Sequence, residues 1–163
     1  MFTRWKIIVL TLSSVLLLSA GAGNALAENH SHSHDAGIPA QLTLNNGSQW
    51  VTDDNLRKGM EHIRAALAAE LQTIHAGQMT AGQYRVLAQK INQQTEFIVK
   101  HCKLDQKTDA MLHLVLADIM AGTDIMLHDS GKAHSGAEKI INALDNYAAF
   151  FSHPGWTGVH PAH

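Results

Sequence analysis

Three histidines occupy alternate positions in "ENHSHSHD", residues 28 to 35: His30, His32 and His34, followed by Asp35. Imidazole nitrogens suit copper, zinc and nickel, and a tract this rich in histidine reads as metal binding on composition. The competing reading is a polar leader that binds nothing. The beginning of the chain favours the first. Arg4 and Lys6 precede an apolar run from Ile7 to Leu18, and the small residues of "SAGAGNALA" follow. That is the three-part layout of a secretory signal peptide, with cleavage expected after Ala27. A mature chain starting Glu28-Asn29-His30 would present a free amine, two deprotonated backbone amides and the His30 imidazole. Those four nitrogens in a plane are what Cu(II) and Ni(II) prefer, and His32 and His34 would add further imidazoles.

Other candidates lie deeper in the chain. His101 and Cys102 are adjacent. A thiolate at Cys102 with imidazoles nearby would hold Cu(I) or Zn(II), whereas a protonated thiol there is a small buried hydrophobe. Asp109 and His113 stand four apart, so the carboxylate can orient the imidazole for a metal, or the two form an ordinary polar helix edge. His153 closes the list of metal candidates. His62 and His75 read as flank residues, and Met60, Met111, Met120 and Met126 as core filler.

These side chains need elements to position them. Leu56, Met60, Ile63, Leu67, Leu71 and Ile74 form an amphipathic stripe, capped at Thr52 or Asp53 and ended by Gly77. "TAGQ" from Thr80 is a capping box, and Tyr84, Leu87, Ile91, Ile98 and Cys102 mark a second helix. Asp105 or Thr108 caps a third, through Leu112, Val115, Leu116, Ile119 and Met126. "SGAE" from Ser135 is a further capping box, before Ile140, Ile141, Leu144, Tyr147, Ala148 and Phe151; Pro154 stops that helix. Residues 28 to 51 read as a flexible histidine-containing tail and lead-in. "LTLNNGSQW" there is a short extended piece without a visible partner strand, and Trp50 is its candidate anchor.

The expected fold is all-α: an antiparallel up-down-up-down four-helix bundle over residues 52 to 153, with a C-terminal tail from 154 to 163. In that topology the N-terminal tail, His101, Cys102, Asp109, His113, His153 and the C-terminal tail with His160 and His163 share one pole. His75, His128 and His134 fall at the other.

Composition narrows the function. Removing residues 1 to 27 leaves 136 residues, enough for one domain, with all 12 histidines retained. It takes away two cations and no acid, so the formal charge moves from −2 to −4. An acidic balance argues against nucleic acid or anionic lipid as partner. The apolar run is short for a membrane span, and no later segment reads as one, so the mature chain is expected in the periplasm without a membrane anchor. One cysteine leaves no intrachain disulfide. No Cys-x-x-Cys-His, His-Glu-x-x-His, facing Glu-x-x-His pairs, nucleophile elbow or phosphate loop occurs, so no enzyme is expected.

Met60 and His153 lie where an antiparallel bundle brings a methionine and a histidine together. That layout resembles the axial pair of cytochrome b562, which implies noncovalent haem as an alternative cofactor. "NNGSQWVTDDNLRKGMEHIRAAL", "HCKLDQKTDAMLHLVLADIMAG" and "HPGW" resemble segments of small exported helical proteins of proteobacteria without an assigned activity. That resemblance implies an exported helical domain and no site residue. The leading expectation is a transition-metal binding or buffering protein, copper before zinc or nickel, with His30, His32, His34, His101, Cys102, His113 and His153 as ligand candidates. Its rival is a module that binds a protein partner in the envelope.

Overall fold

Helix α1, Asp54–His75, starts where Asp53 turns its carboxylate back to accept from the Leu56 amide at 2.7 Å. It ends in a Schellman arrangement: Gly77, at φ +65°, donates to Ile74 O and Gln78 to Thr73 O. A left-handed residue there costs glycine little, so the expected stop holds. Helix α2, Ala81–His101, opens on the capping box, with Gln83 N donating to Thr80 Oγ1 and Thr80 N to Gln83 Oε1. Asp105 caps α3, Gln106–His128, by accepting from the Lys107 and Thr108 amides. The computed structural model describes residues 41 to 160, so His30, His32, His34, the expected signal segment and His163 lie outside the described residues.

Helix α4, Ala133–Phe150, corrects the second capping box. It begins two residues before Ser135, with Lys132 at the cap position and no side-chain cap. Ser135 therefore sits in the first turn, and its hydroxyl donates to Lys132 O at 2.8 Å. The helix also ends before Pro154. Phe151 is already extended, and Phe151–Ser152 (β2) pairs in parallel with Trp50–Val51 (β1). The short extended piece thus has a partner after all, supplied by the far end of the chain.

The four helices pack together around one core, with consecutive helices in closest contact. The start of α1 meets the end of α2, where Asn55 Nδ2 donates to His101 O and Lys103 N to Asp53 Oδ2. The end of α4 meets the same region through the β1–β2 clasp and through Gln49, which donates to Ala148 O. At the opposite end Tyr84 Oη lies 3.3 Å from His134 Nδ1, joining the starts of α2 and α4. Helix α3 is long and apolar enough to cross a membrane by length and composition, with a mean hydropathy of 1.6, which amends the expectation that no later segment is. Its apolar side, including Leu112, Val115 and Ile119, is buried in the core.

Both ends of the described chain lie on the bundle. Trp50 is buried, and its indole donates to Thr43 O, while Leu42 packs on the core, so the lead-in is docked from there onward. After β2, "HPGW" makes a turn closed by Trp156 N donating to His153 O, with Gly155 at φ +82° in the position a type II turn reserves for glycine. The chain then runs back along α1, beside Arg64, Ala68, Leu71 and Gln72. His160 consequently stacks near His75 at the opposite pole, and not beside His153.

Candidate functional site

At the pole where α1 starts and α2 ends, the residue types that favoured a metal are present but separately engaged. Cys102 is the C-cap of α2 and half-buried, so the helical stripe stops one residue earlier than expected. Burial pushes its thiol up to about 11, and the Asp53 and Asp109 carboxylates push the same way. At neutral pH it is a protonated thiol, and a metal there would have to displace that proton. Alkylation by iodoacetamide near pH 8 should accordingly run about a hundredfold slower than for a free thiol, since only the thiolate reacts. Labelling at the free-thiol rate would show that burial and these carboxylates do not hold the proton.

His101 is exposed and lies against Phe97, with ring centroids 4.8 Å apart. Its carbonyl, and not its ring, takes part in the contact between α1 and α2. His113 is exposed and keeps Nδ1 2.8 Å from Asp109 O and 3.4 Å from Asp109 Oδ2. Backbone and carboxylate together fix that ring, which leaves Nε2 outward as its free nitrogen. Among the described residues no three His, Cys, Asp or Glu side chains converge on a common point. His101, Cys102 and His113 are near one end of the bundle without forming a ligand set.

His153 belongs to a different constellation, one that the pattern of residues did not foretell. Its side chain is 5% exposed. Nδ1 lies 2.9 Å from Tyr147 Oη and Nε2 3.6 Å from Glu61 Oε1. The carboxylate beside Nε2 favours the tautomer with its proton there, so Tyr147 donates to Nδ1. Burial lowers the tendency of His153 to protonate; Glu61 opposes this, and Arg57 and Arg64 reinforce it. Trp156 closes the group edge-on to Tyr147 at 5.0 Å, with the Arg64 guanidinium 5.9 Å from its ring centre. Met60 is wholly buried in the core. Axial ligation of haem by Met60 and His153 would require His153 to give up the contact at whichever nitrogen bound the iron, Tyr147 at Nδ1 or Glu61 at Nε2. The signal that could have disclosed this group was "HPGW" itself, whose Pro-Gly pair marks a turn and so returns Trp156 to the helices.

No protein family, characterised protein or solved structure matches the chain. Fold and site therefore define a class only: a helical protein of four packed helices whose two ends are clasped together and whose C-terminal segment straps α1.

Proposed function

We propose that the mature chain binds a transition metal, copper before zinc or nickel, in the periplasm, without catalysing a reaction. The observation that carries this is Glu28-Asn29-His30 placed directly after the expected cleavage point, with His32 and His34 behind it. The bundle then serves as a carrier. An up-down-up-down order fits the contacts of the α1 start with the ends of α2 and α4, and those between the starts of α2 and α4. In that order the exposed rings of His101 and His113 share the pole where α1 begins, and we propose that they take part in holding the ion. Cys102 and His153 contribute only if a metal displaces the thiol proton or the Tyr147 contact.

Calorimetric titration of the mature protein with Cu(II), beside a version lacking residues 28 to 35, tests the proposal. Binding at about micromolar strength or tighter that vanishes with the tail is expected, about 8 kcal/mol or more. Absence of binding by both forms refutes it. Mass spectrometry of the N-terminus decides whether Glu28 is the first residue, and a Soret band in protein isolated from the periplasm would point to haem.

A second reading, an envelope interaction module, is favoured by the groove between α2 and α3. Thr95, Val99, Met120, Thr123 and Leu127 line it, and Val99 and Met120 are 62% and 54% exposed. Apolar side chains so exposed along a groove suit a partner surface. Elemental analysis of the same periplasmic sample separates the two readings.

A further inference from the structure

The path of the C-terminal strap brings together two histidines that sequence order keeps 85 positions apart. His75 is in the last turn of α1, and His160 ends the described strap. Their ring centroids are 5.6 Å apart with planes inclined by 20°, and both residues are exposed. The strap is held just before this point. Val159 is buried, 3% exposed, and Gly158 at φ +72° supplies the left-handed bend that turns the chain there. His160 is thus presented by an anchored segment.

We propose that His75 and His160 form a site for a borderline divalent ion, Zn(II), Cu(II) or Ni(II), separate from the N-terminal tail. A metal bound to imidazole lies about 2.1 Å from the nitrogen, and so about 3.2 Å from the ring centre. Two imidazoles on one tetrahedral ion then have centres roughly 5 Å apart, close to the 5.6 Å here, but the rings stand stacked and nearly parallel, so both exposed side chains must turn to aim a nitrogen at one ion. Among the described residues neither ring enters a side-chain hydrogen bond, so ligation breaks nothing already made. The carbonyl end of α1 adds a favourable potential for a cation. With two protein ligands the remaining positions go to water, so the ion is exchangeable, and its binding ties the strap to α1. None of the seven ligand candidates named from sequence takes part.

The test uses the mature protein with His30, His32 and His34 changed to alanine, which removes the tail as a competing site. Hydrogen exchange of residues 156 to 160 is followed with and without Zn(II) alone, and stoichiometry is read by equilibrium dialysis. Zn(II) is expected to slow exchange in the strap and to bind once at this site. H75A and H160A should each weaken that binding by about tenfold or more, since losing a ligand costs at least what losing its support does. Both positions are exposed, so far-UV circular dichroism should stay unchanged. Exchange unaltered by Zn(II), or protection that survives in H75A, overturns the site. Failure of copper capture by residues 28 to 35 would leave this result untouched, because those histidines are missing from the protein tested.

Discussion

Replacing Gly122 by alanine should destabilise the protein by about 1–3 kcal/mol, the usual cost of overfilling a packed interior. Helix propensity pulls the other way, because alanine is favoured over glycine by about 1 kcal/mol within a helix. Geometry decides between them. A Cβ on Gly122 would lie 2.6 Å from the Gly136 carbonyl oxygen and 2.4 Å from Ile140 Cγ1. One on Gly136 would lie 2.7 Å from the Gly122 carbonyl oxygen. A backbone oxygen cannot swing aside, so α3 and α4 must separate along their closest contact. Gly59 is the comparison, since its Cβ would meet only side chains, Ile98 and Phe97. G59A should therefore cost less than G122A once Ile98 rotates. G122A and G136A touch the same contact, so the double variant should lose less than the sum of the two. Urea unfolding of the four variants measures all of this, and a G122A protein as stable as the parent would mean that the helices do not approach so closely.

What was legible beforehand divides by the reach of the interaction. Asp53, Thr80, Gly77 and Asp105 work over three to five residues, and each sits in the cap or stop its sequence neighbourhood announces. The stripe of α1 was equally open to reading, because a period of 3.6 is itself local. Ser135 had the same local credentials and failed, because α4 packs from Ala133 onward and the buried Ala133, Gly136 and Ala137 decide where it begins. The clasp was hidden for another reason. Trp50 and Phe151 are 101 positions apart, and a two-residue strand carries no alternation to detect. Gly122 and Gly136 look like weak points in their helices until the facing helix is known. For the site, residue type was readable and convergence was not. His153 resembled a pole ligand but is satisfied by Tyr147, while His75 and His160, assigned to opposite poles, are neighbours. The most specific sequence feature, Glu28-Asn29-His30, lies outside the described residues and rests on chemistry alone.

Changing His153 to alanine should destabilise the protein by about 1–3 kcal/mol, because it leaves the buried Tyr147 hydroxyl without its acceptor. It should also change how stability responds to acid. His153 is harder to protonate in the fold than in the unfolded chain, where histidine titrates near about 6.5. As pH falls below that value the unfolded state takes up a proton that the native state still refuses, so the native state loses ground. The contribution is complete above about pH 6.5 and is lost progressively as pH drops through the lower folded value. Tyr147, Glu61, Arg57, Arg64 and Trp156 face the ring, and only Glu61 favours its protonation. Y147F is the informative control. It keeps the ring that packs on Phe151 and Trp156 but withdraws the hydroxyl that holds Nδ1 unprotonated, so His153 should protonate more readily and the acid-side slope should shrink. The strap carries one cost, a buried Trp156 Nε1 without a partner among the described residues. Stability measured by denaturant unfolding between about pH 5 and 8 should slope in the parent protein, less in Y147F and least in His153→Ala. An undiminished slope in His153→Ala would show that the acid sensitivity does not arise at His153 and leave that residue with no proton-dependent hold on the strap.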